Sequence, residues 1–305
     1  MSPDTHKEST LRFYKERILR VLVYIQSHLD ETIELKDLAV RAGFSQHHFH
    51  RVFRGMLGEP LMAHVRRMRL EKAANRLKNT RRSLIDLALD AGYDSHEAFT
   101  RAFKSAFGIS PSRYRSQRIA CEHLDARSGV HFQPEGFVAN FRTLNQMSHI
   151  MNVVIESIPP ARVAFIRHIG PYAECGKAWD KLCTWLGKEG LLGPGCRLIG
   201  VSYDDPEITP PHKIRYDACV TVDDTFRPVG KIGVQTIAGG EYARFTHVGS
   251  YDKLNETYGR IFGQWLPRSG HRLRKLPCFD VYLNSPENTP VSELLTDIYI
   301  PIEPR

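Results

Sequence analysis

The sequence predicts a two-domain chain, an all-α domain followed by an α+β domain. Three observations carry this reading. The 305 residues suit about two domains at roughly 100 to 200 residues each. Apolar residues recur with helical spacing as far as about residue 116 and then give way to short β-rich runs. Each half also repeats itself. Ala39, Gly43 and Phe44 return 49 residues later as Ala88, Gly92 and Tyr93, while Phe49, Arg51, Phe53 and Gly58 return 50 later as Phe99, Arg101, Phe103 and Gly108. In the second half Ala164, His168, Gly170 and Tyr172 return 79 later as Ala243, His247, Gly249 and Tyr251, and Trp185-Leu186 returns 80 later as Trp265-Leu266.

Taken in order, Leu11, Tyr14, Ile18, Leu22, Ile25 and Leu29 step by three and four, which is one face of a helix. A second long helix is predicted over 61–78. Leu61, Val65, Met68, Ala73 and Leu77 line one side, Arg66, Arg67, Arg69, Lys72 and Arg76 lie largely on the other, and Pro60 suits the first turn. The helical domain spans 8–116. Residues 117–150 have no clean period and contain Gly129, Pro134 and Gly136, so they read as a linker. Over 151–305, strands are predicted at 153–158, 162–168, 198–203, 216–222, 233–237, 241–247, 279–283 and 296–302, with helices at 173–188 and 252–266.

Charge separates the halves. Residues 1–120 hold 22 Lys and Arg against 13 Asp and Glu, whereas 121–305 hold 20 against 21. A basic domain joined to a near-neutral one points to a polyanion partner for the first and a different partner for the second. No apolar run approaches the length of a membrane span, so no membrane partner is expected. The N-terminus lacks the apolar stretch of a signal peptide, which places the chain in the cytoplasm. The six cysteines, at 121, 175, 183, 196, 219 and 278, never form C-x-x-C and read as reduced thiols.

Within the first repeat a short helix with Leu35, Leu38 and Ala39 stops at Gly43, and Ser45 can cap the next helix. On that helix Phe49, Val52 and Phe53 face inward, while Gln46, His47, His50, Arg51 and Arg54 project outward. The second copy has Leu87 and Ala88 before Gly92 and Ser95 as cap. Phe99 and Phe103 face inward, and His96, Glu97, Thr100, Arg101 and Lys104 face outward. This is the grammar of two helix-turn-helix units. The stretch SLIDLALDAGYDSHEAFTRAFKSAFGISPSRYR, residues 83–115, resembles the AraC/XylS family of bacterial transcription regulators. The resemblance covers about 11–116 and implies that the long helix joins two recognition helices set in successive major-groove turns of double-stranded DNA. It also implies RNA polymerase as a partner, and base-reading positions at His47, His50, Arg51, His96, Glu97, Thr100 and Arg101. Arg can clamp guanine and Glu can accept from cytosine, whereas a histidine suits a phosphate equally well. His47, His48 and His50 have no carboxylate or cysteine beside them in the sequence, so no metal is expected.

In the second half, alternation in PCFDVYLN sets Phe279, Val281 and Leu283 against Asp280 and Tyr282; in TDIYIPI it sets Ile298, Ile300 and Ile302 against Asp297 and Tyr299. With helices over the aliphatic face, the other face is expected to gather Asp280, Tyr282 and Tyr299 as a ligand site. A carboxylate among tyrosines suits a lipophilic cation. A plain solvated sheet face gives the same alternation. The repeated His-x-Gly-x-Tyr segments, FDVYLN and TDIYIPI resemble the GyrI-like effector-binding domain, a duplicated strand-helix-strand-strand unit. In cation-binding relatives an acidic residue, usually Glu, stands where Asp280 falls, and Asp has the shorter reach. His168 and His247 occupy equivalent repeat positions at strand ends, which argues for structure, and no Ser or Cys is set as a nucleophile. The expectation is a non-enzymatic regulator without catalytic residues or cofactor that senses a small-molecule effector. The alternatives are a GyrI-like hydrolase carrying a DNA-localising domain, and an activator whose second domain binds a protein.

Overall fold

The computed structural model describes residues 3–117, 123–143, 152–190, 193, 195–204, 209–228 and 230–304. It divides into two compact units, Met1–Gln146 with Ile261–Pro267, and Met147–Arg260 with Arg268–Arg305. None of the described helices is long and apolar enough to cross a membrane. The five described cysteines are free thiols; Cys121 lies outside the described residues.

In the first unit α1 (Pro3–Ser27) precedes α2 (Leu35–Ala42) and α3 (Gln46–Leu57). The connecting helix α4 (Leu61–Asn79) leads to α5 (Leu84–Asp90), α6 (His96–Phe107) and α7 (Pro111–Ser116). The apolar stripe of α1 is fully buried from Tyr14 through Ile25, and Leu29, just past the end of the helix, is buried with it. Around the second repeat, Leu70, Ala73, Ala74 and Leu77 of α4 share a core with Leu87, Ala88, Phe99, Phe103 and Tyr114.

Two expectations change here. The basic face of α4 is turned largely onto its own unit: Arg67 is buried between Glu59 and Glu71, Arg69 donates to the carbonyls of Leu29 and Glu31, and Lys72 and Arg76 pair with Asp30. A guanidinium has five donors, and nearby carboxylates and carbonyls take them up before solvent does. The stretch read as a linker is also part of the unit over its described portion, with Val130, Phe132, Val138 and Phe141 buried. These apolar residues follow neither helical nor strand spacing, because the segment packs without regular structure. Residues 118–122 and 144–150 of that stretch lie outside the described residues.

The second unit is built on an eight-stranded sheet of order β1-β6-β8-β7-β3-β4-β2-β5, with every pair antiparallel. The strands are β1 (Val153–Ile158), β2 (Ala161–Ile169), β3 (Leu198–Ser202), β4 (Arg215–Thr221), β5 (Gly233–Ile237), β6 (Gly240–Val248), β7 (Phe279–Tyr282) and β8 (Leu295–Pro301). Helix α8 (Gly176–Lys188) lies between β2 and β3, and α9 (Leu254–Arg260) between β6 and β7. Each half is therefore strand-strand-helix-strand-strand. The first strand of each half crosses over, β1 pairing with β6 and β5 with β2. The halves join where β3 pairs with β7. Ala178, Leu182 and Leu186 of α8 pack on Ala164, Tyr216, Ala218 and Val220, which defines the helix-covered face of the first half.

Candidate DNA interface and candidate ligand site

The two helix-turn-helix units share their local chemistry. Gly43 and Gly92 sit at φ 67° and 77°, a left-handed conformation that costs glycine little and other residues more. A Cβ on Gly43 would run into the guanidinium of Arg17, and one on Gly92 into that of Arg69. Arg17 in turn donates to the carbonyls of Ala42 and Gly43 at 2.6 and 2.9 Å. Ser45 accepts from the His48 amide at 3.4 Å and Ser95 from the Ala98 amide at 3.1 Å, each satisfying an orphan donor of the helix that follows. Ala39 and Ala88 are buried, and Phe49, Phe53, Phe99 and Phe103 are wholly so. The remaining face of each recognition helix is thereby set at a defined angle to its unit.

On α6 that face holds all five residues read from sequence. Glu97, Arg101 and Lys104 are exposed, and His96 and Thr100 are half-buried, their side chains 3.4 Å apart. The Glu97 carboxyl is held below its ordinary value chiefly by its own backbone amide, then by Ser95, so it is an acceptor only. On α3 Gln46 is exposed and Arg51 and Arg54 are half-buried. The side chain of His47 lies outside the described residues. His50 departs from expectation: it is buried, 7% exposed, with its ring turned back along α3 and Nδ1 3.4 Å from the Gln46 carbonyl.

In the second unit the sheet register decides the ligand site. Asp280 pairs with Ile298 and Tyr282 with Thr296, whereas Tyr299 pairs with Phe279. Directly paired residues share a face, so Asp280 and Tyr282 lie together on the side of Ile298. Tyr299 lies on the opposite side, stacked on Phe279 with ring centroids 4.7 Å apart. The expected trio is therefore split. Alternation sorts residues within one strand but leaves open which faces of two strands coincide. Asp280 and Tyr282 also lie under the helices rather than away from them, since Tyr258 of α9 donates to Asp280 Oδ1 at 2.7 Å and Trp179 of α8 packs edge-on to Tyr282 at 5.5 Å.

Asp280 is 3% exposed within an aromatic enclosure. Trp179 Nε1 donates to the Tyr216 hydroxyl at 3.0 Å, which lies 2.9 Å from the Tyr282 hydroxyl. Tyr251 and Tyr172 pack edge-on to Tyr282 and Tyr216. Burial pushes the Tyr216 and Tyr282 phenols well above their ordinary value, so both stay neutral. Gly200 lies opposite Asp280 across β3 and β7, and a Cβ on it would strike both phenols. The repeat explains the arrangement. Shifted by 80 residues, β4 falls on β8 and Gly200 on Asp280; shifted by 79, Tyr172 falls on Tyr251 and Trp179 on Tyr258. The enclosure sits on the pseudo-two-fold axis of the unit, lined by pairs of equivalent residues, with the carboxylate in one half and glycine in the other.

On the opposite face, two further acids mark the same repeat. Asp217, fully buried, receives both Arg167 Nε and Nη2 at 2.8 Å, with Tyr203 and Gln235 beside it. Asp297 receives Arg244 at 3.1 Å and Thr246 at 2.6 Å, and Arg244 also donates to Glu156. Tyr299, beside this second network, has its phenol pushed up to about 12 by burial first and by Glu156 next. Asp217 has an arginine to itself, while Asp297 and Glu156 share Arg244, so each of these acids already has a cationic partner, whereas Asp280 accepts from the Tyr258 hydroxyl.

Residues 38–117 match the model of a helix-turn-helix domain, and residues 151–303 match that of the GyrI-like small molecule binding domain. Over 258 residues the chain is 39% identical to the right origin-binding protein of Escherichia coli strain K12, covering 84% of this chain and 86% of that one. The chain belongs to the AraC-type regulators with a GyrI-like domain. It is also 37% identical over 113 residues to the HTH-type transcriptional activator AarP of Providencia stuartii, covering 37% of this chain and 84% of AarP. It is 39% identical over 95 residues to the transcriptional regulator Rob of Salmonella typhimurium, covering 31% and 33%. This AraC-type regulator binds DNA through its helix-turn-helix domain and carries an effector domain behind it. The sequence reading missed Trp179, Gly200, Tyr216, Tyr251 and Tyr258 of the enclosure. The 79-residue repeat held the signal for three of them, because Tyr172 and Trp179 map onto Tyr251 and Tyr258.

Proposed function

We propose that this regulator reads one asymmetric DNA site spanning two major-groove turns, and that a lipophilic cation held at Asp280 tunes it. The observation that carries the DNA half is the outward face of α6. Arg101 supplies a guanine clamp, Glu97 an acceptor for a cytosine amino group, and His96, Thr100 and Lys104 short contacts to base or phosphate. Gln46, His47, Arg51 and Arg54 act for α3, while His50, folded back on its helix, supports rather than reads. Two different recognition helices in one chain need no palindrome. Sequencing the fragments that the purified protein retains from a random pool tests this. One bipartite, non-palindromic motif bound at 1:1 is expected, and two inverted identical half-sites at 2:1 overturn it.

The observation that carries the ligand half is a carboxylate buried among tyrosine and tryptophan rings, where an organic cation gains both charge pairing and ring contact. Tyr282 shares the site, Tyr299 does not, and Trp179, Tyr251 and Tyr258 take its place. The rings pack against one another, so they part as the ligand enters. Calorimetric titration of tetraphenylphosphonium should give saturable binding, whereas failure to bind any member of a cation panel rejects the reading. RNA polymerase is the protein partner in this scheme, read out by in vitro transcription with and without the cation. The domain works by binding rather than turnover. His168 and His247 each donate Nε2–H to a backbone carbonyl, of Pro171 and Ser250, both at 3.0 Å, so both imidazoles brace the turn after their strand.

A further inference from the structure

Outside both sites, three side chains of the first unit converge. Glu71 of α4 is 2% exposed, and its carboxylate faces two imidazoles from the segment that follows α7. His131 Nδ1 lies 3.2 Å from Oε1 and His123 Nδ1 lies 3.8 Å from Oε2. All three donor atoms fall within 4.8 Å of one another, with the two rings 4.5 Å apart. A hydrogen bond from His131 Nδ1 to Oε1 accounts for one of these two contacts and not for the other. Oε1 already accepts from Arg67 Nη1 and the Leu124 amide, each at 3.1 Å, and Oε2 from the Phe132 amide at 2.7 Å. With that bond Oε1 accepts three, whereas Oε2, with the Phe132 amide on it, has a lone-pair position left for a further partner. The His123 contact is too long for a hydrogen bond.

Separations of 3.2 and 3.8 Å, measured to the two oxygens in turn, also lie near the edge of a tetrahedral coordination shell. Bonds of about 2.0 to 2.2 Å to imidazole nitrogen and carboxylate oxygen set neighbouring ligand atoms roughly 3.4 Å apart. We propose that Glu71, His123 and His131 form a site for a divalent transition-metal ion of the zinc class, with water completing the shell. The nearby cation does not forbid it. Arg67 is forked onto Glu59 at 2.7 and 3.1 Å, so Glu59, Arg67 and Glu71 together carry one net negative charge. His123 is half exposed, which gives the ion a way in. Such a site would pin 123–133 to the helix that joins the two helix-turn-helix units, a metal function separate from DNA reading and effector binding.

The test is titration of chelator-treated full-length protein with Co²⁺, followed by visible absorption and by competition with Zn²⁺. One ion per chain is expected, with d–d bands of a low-coordinate nitrogen and oxygen shell and no thiolate-to-metal band. His123→Ala and His131→Ala should each weaken binding at least about tenfold while leaving helical content and DNA binding intact, and His50→Gln should leave metal affinity unchanged. No Co²⁺ binding, a thiolate band, or unchanged affinity in the His123→Ala/His131→Ala double variant each overturns the proposal.

Discussion

Asp280 and Gly200 are equivalent residues that stand face to face, and the difference between them leaves a single carboxylate at the centre of the proposed ligand site. Asp280→Asn keeps the shape and removes the charge, so a lipophilic cation should lose affinity while a neutral analogue of similar size binds nearly as before. Calorimetry of both ligands on wild type and variant checks this, and equal affinity of the cation for both proteins would remove Asp280 as the anchor. Gly200→Ala acts on the other side of the axis. Its methyl would displace the Tyr216 and Tyr282 hydroxyls, and overpacking of this kind costs about 1 to 3 kcal/mol, to be read as a lowered thermal midpoint of the effector domain. Alternation singled out Asp280 but not Gly200, and it put Asp280, Tyr282 and Tyr299 on one face. The β7–β8 register moved Tyr299 away, and register depends on long-range pairing that a single strand does not encode.

The recognition helices were legible because their determinants are local. A left-handed glycine, a serine cap and two phenylalanines four apart all act within about fifteen residues, and both repeats follow the same rule. The packed stretch 123–143 escaped because Val130, Phe132, Val138 and Phe141 follow no periodicity. On α6, Arg101→Ala should cost about 1 to 3 kcal/mol on the specific site and little on random DNA, whereas Lys104→Ala should weaken both alike and reduce the salt slope by about one. Binding isotherms on the two DNAs at several salt concentrations separate these cases. Ser95→Ala, which frees the Ala98 amide, should destabilise the second helix-turn-helix unit by about 1 kcal/mol in urea unfolding.

Charge at the scale of the chain is less available than its sum of +8 suggests. Arg67, Arg69, Lys72 and Arg76 are engaged within the first unit, so the salt dependence of DNA binding should count the cations on α3, α6 and α7 rather than the net charge. The same internal pairing sets acid sensitivity. Burial alone would raise the Glu59 carboxyl, but hydrogen bonds from His64 and Arg67 outweigh it and hold it at about 2, against an ordinary 4.5. Burial holds the His64 imidazole below 6.5. Both groups bind fewer protons folded than unfolded, so stability is lost on acidification, first as pH drops below 6.5 and again from 4.5 towards 2. Glu59→Gln should flatten the lower step in pH-dependent urea midpoints; an unchanged step would assign it to other carboxylates.

The crossing of β1 and β5 ties the two halves of the effector domain by exchange rather than by docking. Each half lends its opening strand to the other and borrows one in return. A half cut out alone, ending near residue 230, would have β1 without its partner β6 and β2 with a bare edge where β5 belongs. Two copies of such a fragment can close both gaps by trading β1 reciprocally, as in a domain-swapped dimer. Two such halves joined in one chain have the topology of the present domain, and the axis between them runs where Gly200 of one half meets Asp280 of the other. Ultracentrifugation of the half-domain fragment should therefore find a dimer where the full domain is a monomer.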